Sequence, residues 1–196
     1  MIYKPSKLYR PIQQMPYCCV PATLQWILYR KGFDILDQES IGAHLGLRLP
    51  IKCKRIFKNK DVIFTDKEPG GGYGTQIEKK KYSINNFFKK NNINLKISEL
   101  VVINNKKKLK EFLINNFKND NDIILRYNNR ITTPLGQKSY GHLSVISQFD
   151  EKSNSAIIGD PEPPFFKKVS LDDIIYSISK EIDGVQRGLH PVGINS

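Results

Sequence analysis

Several residue types are scarce in this chain. Its 196 residues include three cysteines, three histidines, two methionines and one tryptophan. Three cysteines are an odd count, and the opening MIYKPSKLYRP has no apolar core that could serve as a secretion signal. A disulfide framework is therefore not expected. No apolar run approaches the ~18 residues that a membrane span needs, so no transmembrane segment is expected. A cytoplasmic location is the default expectation, with export by a signal-less route left open. Cysteines at 18, 19 and 53 and histidines at 44, 142 and 190 give no paired zinc spacing. The stretch GGGYGT at 70–75 lacks the Gly-Lys-Ser/Thr ending of a phosphate-binding loop, which removes a nucleotide site of that kind.

Negative charge is also short. There are 19 acidic residues against 31 Lys and Arg, a net charge of +12. A basic balance of this size admits a nucleic acid or an acidic membrane as partner. Lys, Asn and Ile recur along the whole chain, however, as in FKKNNINLKI and INNKKKLKEFLINNFKNDN. No aromatic-interleaved basic motif of an RNA-binding sheet accompanies them. The charge is a compositional trait first and a weak sign of a partner second. Hydrophobic residues make up 39% of the chain, which fits one globular domain over 1–196, with 1–12 as an N-terminal arm.

Residues 1–12 read as extended, because Pro5 and Pro11 break any helix there. Residues 20–31 read as a central helix, with Pro21 in its first turn and Gly32 as its stop. A shorter helix is expected over 37–46. Residues 48–69 are basic and irregular, with one strand-like piece, DVIFT. GGGYG at 70–74 reads as a flexible hinge or loop. Thr75 with Glu78 has the form of a capping box opening a helix that Ile84, Phe87 and Phe88 continue. Residues 94–103 contain a strand or two. An amphipathic helix over 106–118 carries Leu109, Phe112, Leu113 and Phe117 on one face. The last third turns to β: DIILRY (122–127), HLSVISQF (142–149) and SAIIGD (155–160), with EKSN at 151–154 as a hairpin turn. A Pro-rich loop and a helix near 171–179 follow. Helices first and strands later make an α+β chain.

Two of the three cysteines are neighbours at the mouth of the central helix, and they read either as packing or as chemistry. Cys19 stands where unpaired N–H groups and the helix dipole favour an anion, which lowers a thiol pKa. His142 opens a strong strand, behind a Gly141 that leaves room for a ligand or another backbone. Asp160 ends the next β-run. A hairpin turn at 151–154 brings the two to the same end, where a carboxylate can hold an imidazole in one tautomer. Gln13 lies six residues before Cys19 and can fold back to supply a side-chain N–H to an oxyanion, with Gln14 as its competitor. Cys18 is the alternative thiol. Cys53 sits among lysines, in KCKR, without an identifiable base. His44 lies in a helical run, His190 in a Pro/Gly-rich tail, and Glu162, Asp172 and Asp173 read as loop and helix-start acids.

The order Gln13, Cys19, His142, Asp160 is that of a papain-like cysteine hydrolase. The motif around Cys19 resembles the bacteriocin-processing, double-glycine-leader peptidase family. That family has a Gln six positions before the Cys and then Cys-Gly-x-Ala leading an apolar helix, where this chain reads Gln13 and Cys19-Val20-Pro21-Ala22. It has a Gly-Thr pair as at Gly74-Thr75, a His leading a β-run as at His142, and an Asp-Pro after the next β-run as at Asp160-Pro161. The resemblance covers about 13–180 of the 196 residues. It departs at Val20, in place of the usual Gly, and in the longer basic segment 48–73. Members are usually fused to an ATP-binding membrane transporter, and this chain reads as a stand-alone one. The resemblance implies a helical lobe, an antiparallel β lobe and a cleft between them. It implies a cysteine peptidase with Cys19 as nucleophile, His142 as base, Asp160 as orienting group and Gln13 in the oxyanion hole. The substrate is then a peptide or protein, and no metal or organic cofactor is needed. The same thioester chemistry serves an amidase, acyltransferase or transglutaminase, and a silent basic binding module is the expectation from a different class.

Overall fold

The computed structural model describes residues 1–68, 72–132, 140–179 and 184–195. In chain order it contains β1 (Ile2–Tyr3), α1 (Cys19–Lys31), α2 (Gln38–His44), β2 (Arg48–Pro50), β3 (Ile63–Thr65), α3 (Ile84–Lys90), β4 (Leu95–Ile97), α4 (Lys106–Lys118), β5 (Asp122–Asn128), β6 (Gly141–Asp150), β7 (Ser155–Gly159), β8 (Phe166–Ser170), α5 (Leu171–Ile178) and β9 (Gly188–Ile194). The main sheet runs β4-β9-β5-β6-β7-β8, with β1 beside the far end of β6, and every pair in it is antiparallel. Helices and an antiparallel sheet together make this an α+β fold.

Alternation along β5 explains the layering. Ile124 joins Leu24, Trp26 and Ile27 of α1, Ile41 of α2 and Phe87 and Phe88 of α3. Its neighbours Ile123, Leu125 and Tyr127 join Leu109, Leu113 and Phe117 of α4 and Leu171, Ile174 and Ile178 of α5. Successive strand residues face opposite sides, so α1–α3 cover one face and α4 with α5 cover the other. The helices are thus not confined to one lobe: a strand apolar on both faces needs cover on both.

Helix α1 is buried almost throughout, from Val20 to Leu28. Its C-terminus is closed by Gly32 (φ 79°), a backbone conformation that glycine adopts without a Cβ clash. Arg30, itself buried, ties that end to the start of β5. Its Nε donates to Asp122 at 2.6 Å, and its Nη1 donates to Asp120 at 3.0 Å. A smaller apolar cluster of Cys18, Leu47, Leu49, Cys53, Phe57 and Val62 lies beneath the basic segment.

Several expectations need correction. The Thr75–Glu78 pair opens no helix. The helix starts at Ile84, where the Ser83 hydroxyl accepts the Asn86 N–H at 3.3 Å. Of the hinge at 70–74, residues 70 and 71 lie outside the described residues. Gly74 exchanges two backbone hydrogen bonds with Arg48, each 2.9 Å, and so is held in a β-bridge. The basic segment is more ordered over 48–68 than its composition implied: β2 and β3 pair in parallel, and only Ile63–Thr65 of DVIFT is strand. The tail holding His190 is strand β9, inside the main sheet beside β5. Strand β8 was also not foreseen, nor was the pairing of the N-terminal arm with β6. Among the described residues no helix is long and apolar enough to cross a membrane.

Candidate active site

The chain enters α1 through Tyr17, whose φ of 64° is left-handed for a residue with a Cβ. Cys18 then occupies the N-cap position with no side-chain bond to the helix, and the first turn carries no acid. Of the N–H groups at this end, Pro21 has none and that of Ala22 bonds the Cys18 carbonyl, which leaves the Val20 N–H to act on Cys19. Indole Nε1 of Trp26 donates to the Ile12 carbonyl at 2.9 Å, and Gln38 Nε2 donates to the Gln13 carbonyl at 2.9 Å. The Met15 N–H donates to Gln38 at 2.7 Å. These bonds fix the approach segment against the helix.

His142 is the second residue of β6, and Asp160 directly follows β7. The hairpin register explains how they meet. Val145 pairs with Gly159, and the ladder slips by one residue at Ser147. One further step puts Asp160 opposite Ser144, diagonal to His142 and within side-chain reach. Imidazole Nε2 donates to Asp160 Oδ1 at 2.8 Å, with both groups buried. Nε2 therefore carries a proton, and Nδ1 is the basic nitrogen of the neutral ring. Nδ1 is buried without a bond that meets full hydrogen-bond geometry. With Nε2 taken, it is the nitrogen left for the Cys19 thiol, which acts on the same ring.

The electrostatics of the pair follow. Burial raises the Cys19 pKa most strongly. It is outweighed by the hydrogen bond to and charge of His142 together with backbone bonds from Leu143 and Val20, so the net shift is downward. Burial likewise opposes charge on His142, but Asp160 and Cys19 raise its pKa to about 10. A lowered thiol beside a raised imidazole describes a thiolate–imidazolium pair. Cys18 differs. It is fully buried in the small apolar cluster, and desolvation, with the nearby Cys19, raises its pKa.

Asp160 is held as an anion from four directions. Besides His142 it accepts from Lys167 Nζ at 2.8 Å, the Glu162 N–H at 2.9 Å and the Tyr127 hydroxyl at 3.2 Å. Burial works against its ionisation, and the bonds and charges of His142 and Lys167 carry its pKa far below the ordinary carboxylate value. Tyr127 and Tyr140 meet the imidazole edge-on, at 5.6 Å and 5.8 Å between ring centres. The Tyr140 hydroxyl donates to Glu162 at 3.0 Å, and Gln14 Nε2 donates to the other Glu162 oxygen at 2.9 Å.

Lys167, Tyr127, Tyr140 and Glu162 were not foreseen as parts of this cluster. Tyr127 could have been found, because it lies opposite His142 once DIILRY is paired with HLSVISQF. Gln13 is exposed on the approach segment, where Gln38 holds its carbonyl, and its side-chain amide has no hydrogen-bond partner among the described residues. Gln14 is engaged instead with Glu162. The room beside Gly141 is filled by the Arg187 guanidinium, with which a Cβ at Gly141 would collide, so it holds neither a ligand nor another backbone.

Ligand atoms of His142, Asp160 and Glu162 lie within 4.8 Å of one another. They do not fit a metal, because every carboxylate oxygen already accepts a hydrogen bond and the Lys167 ammonium serves as the local cation. Cys53 is buried in the small apolar cluster. His44 ends α2 with Nδ1 bonded to the Ser40 carbonyl at 2.9 Å. Asp172 and Asp173 lie in the first turn of α5, capped by Ser170. No family model matches this chain, and no curated protein matches it either.

Proposed function

We propose that this protein is a papain-like cysteine hydrolase, a peptidase related in mechanism to the leader-processing family that its motifs resemble. The geometry that carries the reading is the 2.8 Å bond of His142 Nε2 to Asp160, which leaves Nδ1 for the Cys19 thiol at the start of α1; the lowered thiol pKa and raised imidazole pKa agree with it. An uninvolved buried cysteine shifts the other way, as Cys18 does.

In this reading the Cys19 thiolate attacks a peptide carbonyl carbon. The carbonyl oxygen takes up the negative charge and is met by the Gln13 amide and backbone N–H at the start of α1. His142 passes its Nδ1 proton to the leaving amine, the C–N bond breaks, and a thioester to Cys19 remains. The now neutral imidazole takes a proton from water, hydroxide attacks the thioester, and the acid departs as the thiolate–imidazolium pair is restored. Asp160 keeps the Nε2 proton in place throughout. If an amine replaces water in the second half, the same thioester yields acyl transfer, as in an acyltransferase or transglutaminase, whereas an amidase keeps water as the acceptor. A mass-spectrometric screen with added amines separates the two.

The test of the nucleophile is labelling with iodoacetamide near pH 6, read by intact mass. The wild type is expected to label at Cys19 far faster than Cys19→Ser labels anywhere. Equal rates, with the label on Cys18 or Cys53, would remove the enzyme reading. Salt-steep nucleic-acid binding with blank activity assays would then favour the basic binding module.

A further inference from the structure

A cavity of about 200 Å³ opens on the face of the sheet that carries α1. Its floor is four neighbouring strand residues: Ile124, Arg126, Leu143 and His190, joined by the cross-strand pairs Arg126–Leu143 and Ile124–His190. Its walls include Ile77, Ile84 and Ile97. Pockets for drug-sized ligands run to ~300–1,000 Å³, so this volume suits a single side chain. Leu143 places the cavity beside the reacting pair. It follows His142 directly, its backbone bonds to Cys19, and its carbonyl accepts from Thr23 of α1 at 3.1 Å.

The polar groups of the cavity are few. Arg126 is 8% exposed and pairs through Nη1 with Glu78, while its Nε is buried without a partner. Nδ1 of His190 lies 3.0 Å from the Ser98 carbonyl, which can only accept, so Nδ1 carries the proton. Burial lowers the pKa of this ring and keeps it neutral, leaving Nε2 as an acceptor. Glu78 and Glu99 set two carboxylates against one guanidinium in the lining. An acidic side chain meets net repulsion there, and a cation is drawn only to the solvent-exposed Glu99, because Glu78 is already paired with the buried Arg126. A neutral tip that accepts from Arg126 and donates to Glu78 or His190 satisfies both, while an apolar body covers the isoleucines.

We infer that this cavity is the substrate-specificity pocket of the enzyme, and that it takes a substrate side chain with an apolar body and a neutral hydrogen-bonding tip, of the tyrosine or glutamine class. The inference rests on the reading of Cys19 and His142 as the reacting pair. It runs against an acidic substrate, which the net charge alone would favour.

The test is a panel of peptidyl chloromethyl ketones in which the first or second residue on the acyl side is Tyr, Gln, Phe, Leu, Glu or Lys. Labelling of Cys19 is followed by intact mass. At one of the two positions the Tyr and Gln probes are expected to label at least tenfold faster than Phe and Leu, with Glu slowest. In Arg126→Met the Tyr-to-Phe ratio falls towards one, and because it is a ratio a general loss of reactivity cancels. Should that variant fail to fold, Glu78→Gln carries the test. Its side chain is half exposed, and removing its charge is expected to speed the Glu probe about tenfold. A flat panel, a preference for Phe or Leu, or no gain for the Glu probe in Glu78→Gln overturns the assignment. Fast iodoacetamide labelling of Cys19 beside a flat panel removes only the pocket. Slow iodoacetamide labelling removes the hydrolase reading and the pocket with it.

Discussion

Replacing Asp160 by Asn tests the electrostatics of the site most directly. The carboxylate accepts from His142 at 2.8 Å in a buried setting, and that hydrogen bond is the largest influence raising the imidazole pKa, against the opposing effect of burial. A hydrogen bond to a charged group is worth about 1.5–3 kcal/mol. At about 1.36 kcal/mol per pKa unit, its loss lowers the imidazole by ~1–2 units. His142 would then move from about 10 to roughly 8–9. Lys167, 2.8 Å from the same carboxylate, would be left without its anion beside the imidazolium, which pushes the same way. The chain has only three histidines, so the ring signals can be separated by NMR and titrated from pH 5 to 11. The alkaline limb of peptide hydrolysis should shift with the His142 signal, because that limb reports loss of the imidazolium proton. Stability follows with a definite sign. A raised histidine pKa contributes fully below the ordinary value of about 6.5, and that contribution fades as pH climbs through the folded value near 10. The thermal stability of Asp160→Asn should therefore depend less on pH across that window. A wild-type His142 titrating near its ordinary value, or one that Asp160→Asn leaves unmoved, would refute the reasoning.

The other predictions concern neighbouring groups. Gln13→Ala is expected to cost turnover about 10²–10³-fold, as for loss of one oxyanion donor, with Cys19 still alkylated at pH 6. Equal falls in turnover and alkylation would remove its role. Cys18→Ser should leave Cys19 the labelled thiol but destabilise the fold by about 1–3 kcal/mol, read from urea melts, because a hydroxyl replaces a thiol inside an apolar cluster. Arg30→Met should cost about 3–5 kcal/mol in the same melts, since the fully buried Asp122 would lose its guanidinium and keep only the Tyr9 hydroxyl and Lys31 at 3.7 Å. A loss under about 1 kcal/mol would show that the pair is not coupled as the geometry implies.

Much of this protein can be read from local pattern. The helix at 106–118 repeats Leu109, Leu113 and Phe117 at helical spacing, and the structure has it at those bounds. Helix α1 was recognisable from Pro21 and Gly32, and the hairpin of β6 and β7 from two β-branched runs around EKSN. These signals depend only on near neighbours, so they survive without knowledge of the fold. The Thr75–Glu78 pair misled for the same reason: a capping box is a local preference, and the bridge of Gly74 to Arg48 overrides it. Strands β8 and β9 are short, lysine- or glycine-bearing segments whose strand character comes from the partner beside them.

The candidate site divides along the same line. Cys19, His142, Asp160 and Gln13 stand out in the sequence because each occupies a recognisable local place: a helix start, a strand start, a strand end and an extended approach. Lys167, Tyr127, Glu162 and the floor of the cavity do not, because their roles arise from strand register. A one-residue slip at Ser147 sets Asp160 diagonal to His142, and cross-strand pairing sets Arg126 beside Leu143. The sequence by itself determined which residues could carry the chemistry, through their types and their places on single elements. Only the tertiary structure decided which of them share a charge, since pKa shifts and pockets depend on distances across strands that no local pattern encodes.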